Sequence, residues 1–193
     1  QAIRSASGQA ILLLNPDTEV MPDAVQKLYR FLKTQSEAGI CGGKILNFDK
    51  TIQQSVRQFP DICSQLLIAL KLQYVFPKAK CLQSYYCRDF DYSKTSPVDQ
   101  VMGAFFMIDR KLIDSIGMLD EHFYIWFEEV DYCHRAYKNG FTVYYCAEAA
   151  VKHHQGASFS KMNSLKKHMI YIRSMQYYFF KHASALHYIM LLV

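Results

Sequence analysis

No uncharged apolar stretch of about 18 residues occurs anywhere in the chain, so no membrane-crossing helix is evident from hydropathy. The first residues do not read as a signal peptide, lacking its basic, apolar and small-residue regions in series. The six cysteines include no C-x-x-C pair and mostly stand in apolar runs, as small core residues do; a reducing, cytosolic compartment is the expectation. Repeats and low-complexity tracts are missing too. Acidic residues run out after Glu148, whereas Lys152, Lys161, Lys166, Lys167, Arg173 and Lys181 follow. Such a cationic end suits an anionic membrane surface, phosphate-bearing substrates or simply a solvated helix face. The overall imbalance, 22 Lys plus Arg against 17 Asp plus Glu, is too small to argue for nucleic acid.

What is present is a chain of 193 residues, 51% apolar, enough for one domain with a sizeable core. Gln1 to Ser7 reads as the last turns of a helix closed by Gly8, which suggests that an earlier part precedes it. The other end falls inside an apolar run, Tyr188 to Val193, that reads as the start of a longer segment. Ala10 to Leu14 is a buried strand, broken by Asn15-Pro16-Asp17. Pro22 suits a first helical turn, and Val25, Leu28, Tyr29 and Leu32 make one apolar stripe. Gly39 to Leu46 reads as a strand, Asn47 to Lys50 as a turn and Thr51 to Arg57 as the return strand. Ile62 to Leu72 suits a helix, and Gln73 to Ser96, without clear period, reads as a mobile loop over the site. Val98 to Asp109 is strand interrupted at Gly103, where a missing side chain allows close approach. Short helices over Arg110 to Ser115 and Glu128 to Lys138 follow, then strands Thr142 to Cys146 and Ala149 to His153, then a basic, aromatic helix from Asn163 to His182. The alternation predicts α/β layers with polar loops at strand ends, where ligands usually sit.

Three polar clusters could carry chemistry, and each also has a plain structural reading. Asn15-Pro16-Asp17-Thr18 is ordinary turn composition, yet a carboxylate leaving a buried strand is well placed to hold a hard cation. Glu128, Glu129 and Asp131 at a helix start are favoured by its dipole. They also follow the apolar and aromatic run Phe123 to Phe127, and crowded carboxylates beside apolar rings are candidates for raised proton affinity and general base work. His153 and His154 at a strand end point to opposite faces, so at most one serves a given site, as surface group or metal ligand.

The segments ILLLNPDTEV, GICGGKILNF, QQSVRQFP, VDQVMGAFFMIDR, GMLDEHFYIWFEEVDYCHRAYKNGF and VKHHQGAS, in that order from about Ile3 to Ser158, resemble the rhamnosyltransferase-like branch of family 2 glycosyltransferases. The resemblance implies a GT-A-type nucleotide-diphospho-sugar transferase fold of the α/β class, a mixed central sheet flanked by helices, here lacking its N-terminal nucleotide-binding strands. It implies a partial catalytic domain over 1–160 and a basic, aromatic C-terminal helical extension over 161–193. Asn15-Pro16-Asp17 stands at the D-x-D-type motif, which makes Asn15 and Asp17 donor-binding and Asp17 a metal residue; Asn in place of the first acid leaves the metal one charged ligand fewer. Glu129 falls at the position of the catalytic base, with Glu128 its partner and Asp131 a positioning residue. His153 matches the histidine of an H-x-x-G-x-S pattern completed by Gly156 and Ser158 and would complete the metal site. Gly103 and Ala104 match the segment beside the donor sugar, and Met102 departs from the small residue usual there.

The reaction so implied is inverting transfer of a sugar, rhamnose or another deoxyhexose, from a nucleotide diphosphate donor to a glycan or lipid-linked acceptor in cell-surface polysaccharide and cell wall synthesis. Mn²⁺ or Mg²⁺ would assist the leaving group, and Trp126 and Tyr124 would stack on the acceptor, although packing explains such aromatics equally. The chain on its own is expected to be inactive. The terminal helix either packs on the catalytic domain or rests on the cytoplasmic leaflet, at the inner face of the cell membrane. A metal-dependent hydrolase and a non-catalytic fragment or interaction module are the rival readings.

Overall fold

The computed structural model describes residues 2–154 and 163–183. In chain order it comprises helix α1 (Ala2–Ser5), strands β1 (Ala10–Leu14) and β2 (Thr18–Val20), helix α2 (Ala24–Thr34), and strands β3 (Ala38–Leu46) and β4 (Val56–Arg57). Helix α3 (Ile62–Ala69), a single tight turn at Leu72–Tyr74 and helix α4 (Lys80–Tyr85) come next. Strands β5 (Ser96–Val98), β6 (Gln100–Val101) and β7 (Phe105–Asp109) lead to helices α5 (Arg110–Ile116) and α6 (Glu128–Lys138), strand β8 (Thr142–His153) and helix α7 (Ser164–His182).

Six strands form a mixed sheet in the order β1-β7-β3-β8-β2, with β5 also on β8. β3 and β8 run parallel, whereas β7 lies antiparallel to both β1 and β3. The carboxyl ends of β1, β3 and β8 therefore meet the amino end of β7 at one edge. A separate antiparallel pair, β4 and β6, sets Arg57 opposite Gln100.

The period of two along β7 divides the core. Phe106 and Ile108 face a cluster with Leu112 of α5 and Tyr132, Cys133 and Ala136 of α6; Phe105 and Met107 face Ala24, Leu28 and Leu32 of α2. Leu28 and Leu32 are fully buried, each worth about 1.5–3 kcal/mol of transfer free energy. Val25 and Tyr29, expected in the same stripe, are exposed, because the buried face is centred on Ala24 instead. The helix starts after Pro22, at Ala24, since Asp23 takes a left-handed φ of 59°.

Four other expectations are corrected. The return strand over 51–57 survives only as an Ile52 bridge to Leu46 and as β4, because Gln53 between them turns inward. The two strands expected over 142–153 are one strand, whose pairing with β3 jumps from Cys146 to Ala150; the break in pattern is a bulge. The segment 73–96 is not a structureless loop. It holds α4, buries Leu82 and Tyr92, and hangs Tyr92 on Val56 N and Tyr145 Oη. These pieces are too short to show a period and take their order from tertiary contact. Finally, Cys63 of α3 and Cys81 of α4 form a disulfide, so those two are not core thiols and the cysteines no longer argue for a reducing compartment.

α7 packs on the domain. Met175, Tyr178 and Phe179 bury against Phe123, Phe127 and Val130, with Ile62, Leu66 and Ala69 of α3 at the margin. No helix among the described residues is long and apolar enough to cross a membrane. The run 188–193 lies outside them.

The disulfide closes a loop between positions 18 apart. Reducing it should lower stability by about 3 kcal/mol on the chain-entropy scale. Without reductant, alkylation under denaturing conditions should label the four free cysteines and spare two. Labelling of all six would contradict the link.

Candidate active site

The polar residues at the sheet edge are held by backbone register. β2 pairs antiparallel with the end of β8, Thr18 opposite His153, and His154 N donates to Asp17 O at 3.0 Å. Asp17 Oδ1 then lies 3.3 Å from His153 Nε2, and Asn15 Nδ2 lies 3.3 Å from the same nitrogen. His153 is buried; His154 is exposed and stacks on Phe48 at 3.6 Å, so the two rings do face opposite ways.

Gln53 sets the tautomer. Its Nε2 donates to Asn47 Oδ1 at 2.7 Å and to His153 O at 2.8 Å, which leaves Oε1 as the atom facing His153 Nδ1 at 3.1 Å. Nδ1 must donate to it, so in the neutral ring the lone pair is on Nε2. A carboxylate oxygen and an imidazole lone pair converging at 3.3 Å suit a hard divalent cation or a shared proton, and an outer amide fixing the far ring nitrogen is the usual support of a metal-binding histidine.

The segment Met102–Gly103–Ala104 joins this group to the acids. Ala104 O accepts from Asn15 N at 3.1 Å, and Met102 N donates to Ser55 O at 2.9 Å. Gly103 stands against Glu129: a Cβ there would meet the Glu129 side chain at 3.8–3.9 Å, ordinary contact, so its lack of a side chain is not sterically required.

Glu128 and Glu129 open α6. Trp126 and Phe127 before them adopt left-handed φ angles of 62° and 66°, and no side chain caps the helix. Such residues cost about 1–3 kcal/mol each unless the surroundings hold them. Here Ser174 Oγ donates to Ile125 O at 2.9 Å, and Phe127 packs on Tyr171 and Tyr178. Among the described residues neither Glu128 Oε2 nor Glu129 Oε2, both closed from solvent, has a hydrogen-bond partner. Burial first and the neighbouring Glu128 second push the Glu129 carboxyl up to about 8, against backbone N–H groups, Gly103's included, that pull it down. Burial raises Glu128 as well.

Asp131, on the same helix, meets the opposite environment. Burial would raise it, but His182, Lys181 and Arg135 at 2.7–2.8 Å prevail and hold it below the usual carboxylate range. Its partners belong to α6 and α7. Trp126 packs edge-on against Tyr171, while Tyr124 is exposed beside Lys166 and Arg173. Gly156 and Ser158 lie outside the described residues. The edge thus gathers Asn15, Asp17 and His153, and links them through Gly103 and Ala104 to Glu129; Asp131, Trp126 and Tyr124 face α7. Gln53 was not singled out from the sequence, although it stands in the QQSVRQFP segment.

A family model described as glycosyltransferase like family 2 matches residues 1–171. The chain belongs to this family. Among curated relatives of this family 2 domain, the low-salt glycan biosynthesis hexosyltransferase Agl10 of Haloferax volcanii is 24% identical over 81% of the chain and 46% of its own length. The N-acetylglucosaminyl-diphospho-decaprenol L-rhamnosyltransferase of Mycobacterium tuberculosis is 26% identical over 77% and 48%. The chain spans about half the length of these relatives. A crystal structure of GalNAc-T7 with UDP, GalNAc and Mn²⁺ aligns over 92% of the chain and 35% of its own, with a TM-score of 0.54 and 14% identity, which shows the shared GT-A fold.

The Glu129 proton gives a signed pH effect. An unfolded chain releases it near the ordinary value of 4.5, whereas the folded chain keeps it up to about 8. The stabilisation is full below 4.5 and lost as pH climbs through about 8. Melting temperatures should show this fall, and Glu129→Gln should shrink it; an equal pH slope in the variant would contradict the assignment.

Proposed function

We propose that this domain transfers a sugar with inversion from a nucleotide diphosphate donor to a glycan or lipid-linked acceptor, with Glu129 as the general base. The observation that carries the reading is a buried carboxyl of raised proton affinity, linked through Gly103 and Ala104 to the Asp17–His153 pair. Family membership supports transfer, and the relatives' names support a hexose or rhamnose and a diphospho-lipid acceptor.

In this mechanism Glu129 takes the proton of an acceptor hydroxyl as that oxygen attacks the anomeric carbon, on the face opposite the departing diphosphate. Raised proton affinity makes its ionised carboxylate a stronger base than an ordinary glutamate. Burial sustains the shift, and the charge of Glu128 adds to it. Asp17 and His153 Nε2 would hold Mn²⁺ or Mg²⁺, which when bound supplies Lewis-acid neutralisation of the diphosphate. Asn15 and the 102–104 backbone would line the donor, and Asp131 would position α6 from behind. Tyr124, being exposed, is free to stack on an acceptor sugar; Trp126 contributes at the edge of the same loop. A setting at a membrane face, in glycan synthesis, belongs to the same proposal and is supported by the glycan and the decaprenol that the relatives' names give.

In the natural protein, Glu129→Gln should lower transfer by about 10²–10⁴ while donor binding in Mn²⁺ stays near wild type. Retained turnover with lost donor affinity would reject the base. Asp17→Ala should instead lose the Mn²⁺-dependent part of donor binding, read by calorimetry with and without the ion; an unchanged metal response would remove Asp17 from that role.

A further inference from the structure

A cavity of about 630 Å³ opens beside this site, between the β4 segment and the 72–88 region; Gln53, Gln54, Arg57, Tyr86, Arg88 and Met102 are among its walls. Two cations share one aromatic ring in it. The guanidinium of Arg57 lies 5.0 Å and that of Arg88 4.9 Å from the centre of Tyr86. Among the described residues neither has a carboxylate within ion-pair distance. Arg57 donates through Nη1 to Val56 O, and Arg88 through Nη1 to Gln54 Oε1, both neutral acceptors. Each guanidinium offers five N–H donors in a planar fork, so most of them are left over.

The contrast within the molecule is sharp. Arg135, also over a ring, is neutralised by Asp131 at 2.8 Å, and Lys33, Lys152 and Lys181 all meet carboxylates. Two guanidiniums gathered on one ring repel each other, and that of the half-buried Arg57 is partly desolvated. An anion between them would offset both costs and take bidentate hydrogen bonds.

The place of the cavity says which anion. β4 pairs with β6, so Arg57 stands opposite Gln100, two positions before Met102 and three before the glycine that touches Glu129. The other wall residue, Gln53, holds His153 from its Nδ1 side, whereas Asp17 and Asn15 meet Nε2. Through Met102 the cavity borders the segment whose glycine touches Glu129, and through Gln53 it lies across the imidazole from the candidate metal pair. We propose that Arg57 and Arg88 bind the phosphate or diphosphate through which an acceptor sugar is joined to its carrier, an anion site separate from that of the donor diphosphate. This deepens, and rests on, the transferase reading above.

Inorganic pyrophosphate is the probe. Titrated calorimetrically into the natural protein in EDTA, so that no divalent ion tethers it to Asp17 and His153, it should bind. Arg88→Gln, at an exposed side chain that the core does not need, should weaken binding about tenfold or more. Arg57→Gln should do the same, and Asp17→Ala should bind the probe as wild type does. Binding unchanged in both arginine variants overturns the proposal, and so does loss in Asp17→Ala, which would give the probe to the donor's place. A kinetic arm separates carrier-linked phosphate from free phosphate. A sugar on a short diphospho-lipid should have a lower KM than its methyl glycoside in the wild type, and the Arg57→Gln/Arg88→Gln double variant should erase that advantage. An advantage that persists in the double variant overturns the acceptor assignment. Should neither sugar be a substrate, the transferase reading fails, while the titration still decides the anion site.

Discussion

Three residues of edge strand carry the whole arrangement. Pairing of β2 with the end of β8 spans only Thr18 to Val20, yet it fixes that Asp17 is the residue brought to His153. A slip of one residue would turn the side chains of β2 to opposite faces and carry Asp17 away from the His153 ring, because side chains alternate along a strand. The register is secured on both sides: Met21 N reaches Ala150 O, His154 N reaches Asp17 O, and Lys152 pairs with Glu19 at 2.9 Å. Asp17 meets His153 only as a consequence of this ladder. Gln53 completes it from the other side of the ring, which is why the chain after the β3 turn abandons regular pairing and buries an amide there.

A second constraint works on charge. α6 holds two acids in opposite states within three positions, Glu129 with raised and Asp131 with lowered proton affinity. Environment alone separates them, as it does in enzymes that assign different roles to neighbouring carboxyls. Lys181 and His182 of α7 are committed to Asp131 and Asp120, so they do not neutralise Glu129. The same helix supports the strained turn at Trp126 and Phe127 that starts α6. α7 is thus tied to the acids of α6 through Asp131 and the turn before them, whatever else its exposed basic face meets.

Elements with a strong local pattern were legible in the sequence: β1, β3, α6 and α7 fall within a residue or so of their expected limits. The interruption at Gly103 was legible as well, because small residues broke an apolar run. What the sequence hid was set by long-range contact. The 73–96 region has no period, since α4 is fixed by the Cys63–Cys81 link and by burial of Leu82, neither visible locally. The inward turn of Gln53 could not be told from an ordinary return strand, as its partner lies 100 positions away. Of the site, the three motifs were readable as motifs; that Asp131 would be enclosed by Lys181 and His182 was not, because nothing in the spacing says that α7 folds back onto α6.

The inverted direction of β7 explains why one sheet edge can serve both ends of a transfer reaction. β1, β3 and β8 deliver their carboxyl ends, with Asn15, Asn47 and His153, as parallel strands do. If β7 ran parallel to them, its amino end and the 102–104 segment would lie at the far edge, some five residues of strand away. Running antiparallel, it brings the Ala104 carbonyl to Asn15 and the Gly103 backbone to Glu129. A single reversed strand therefore bridges the group that suits a diphosphate and the acid that suits a hydroxyl proton. Their spacing is set by backbone hydrogen bonds rather than by flexible side chains, and alignment of that kind is what a displacement at an anomeric carbon requires.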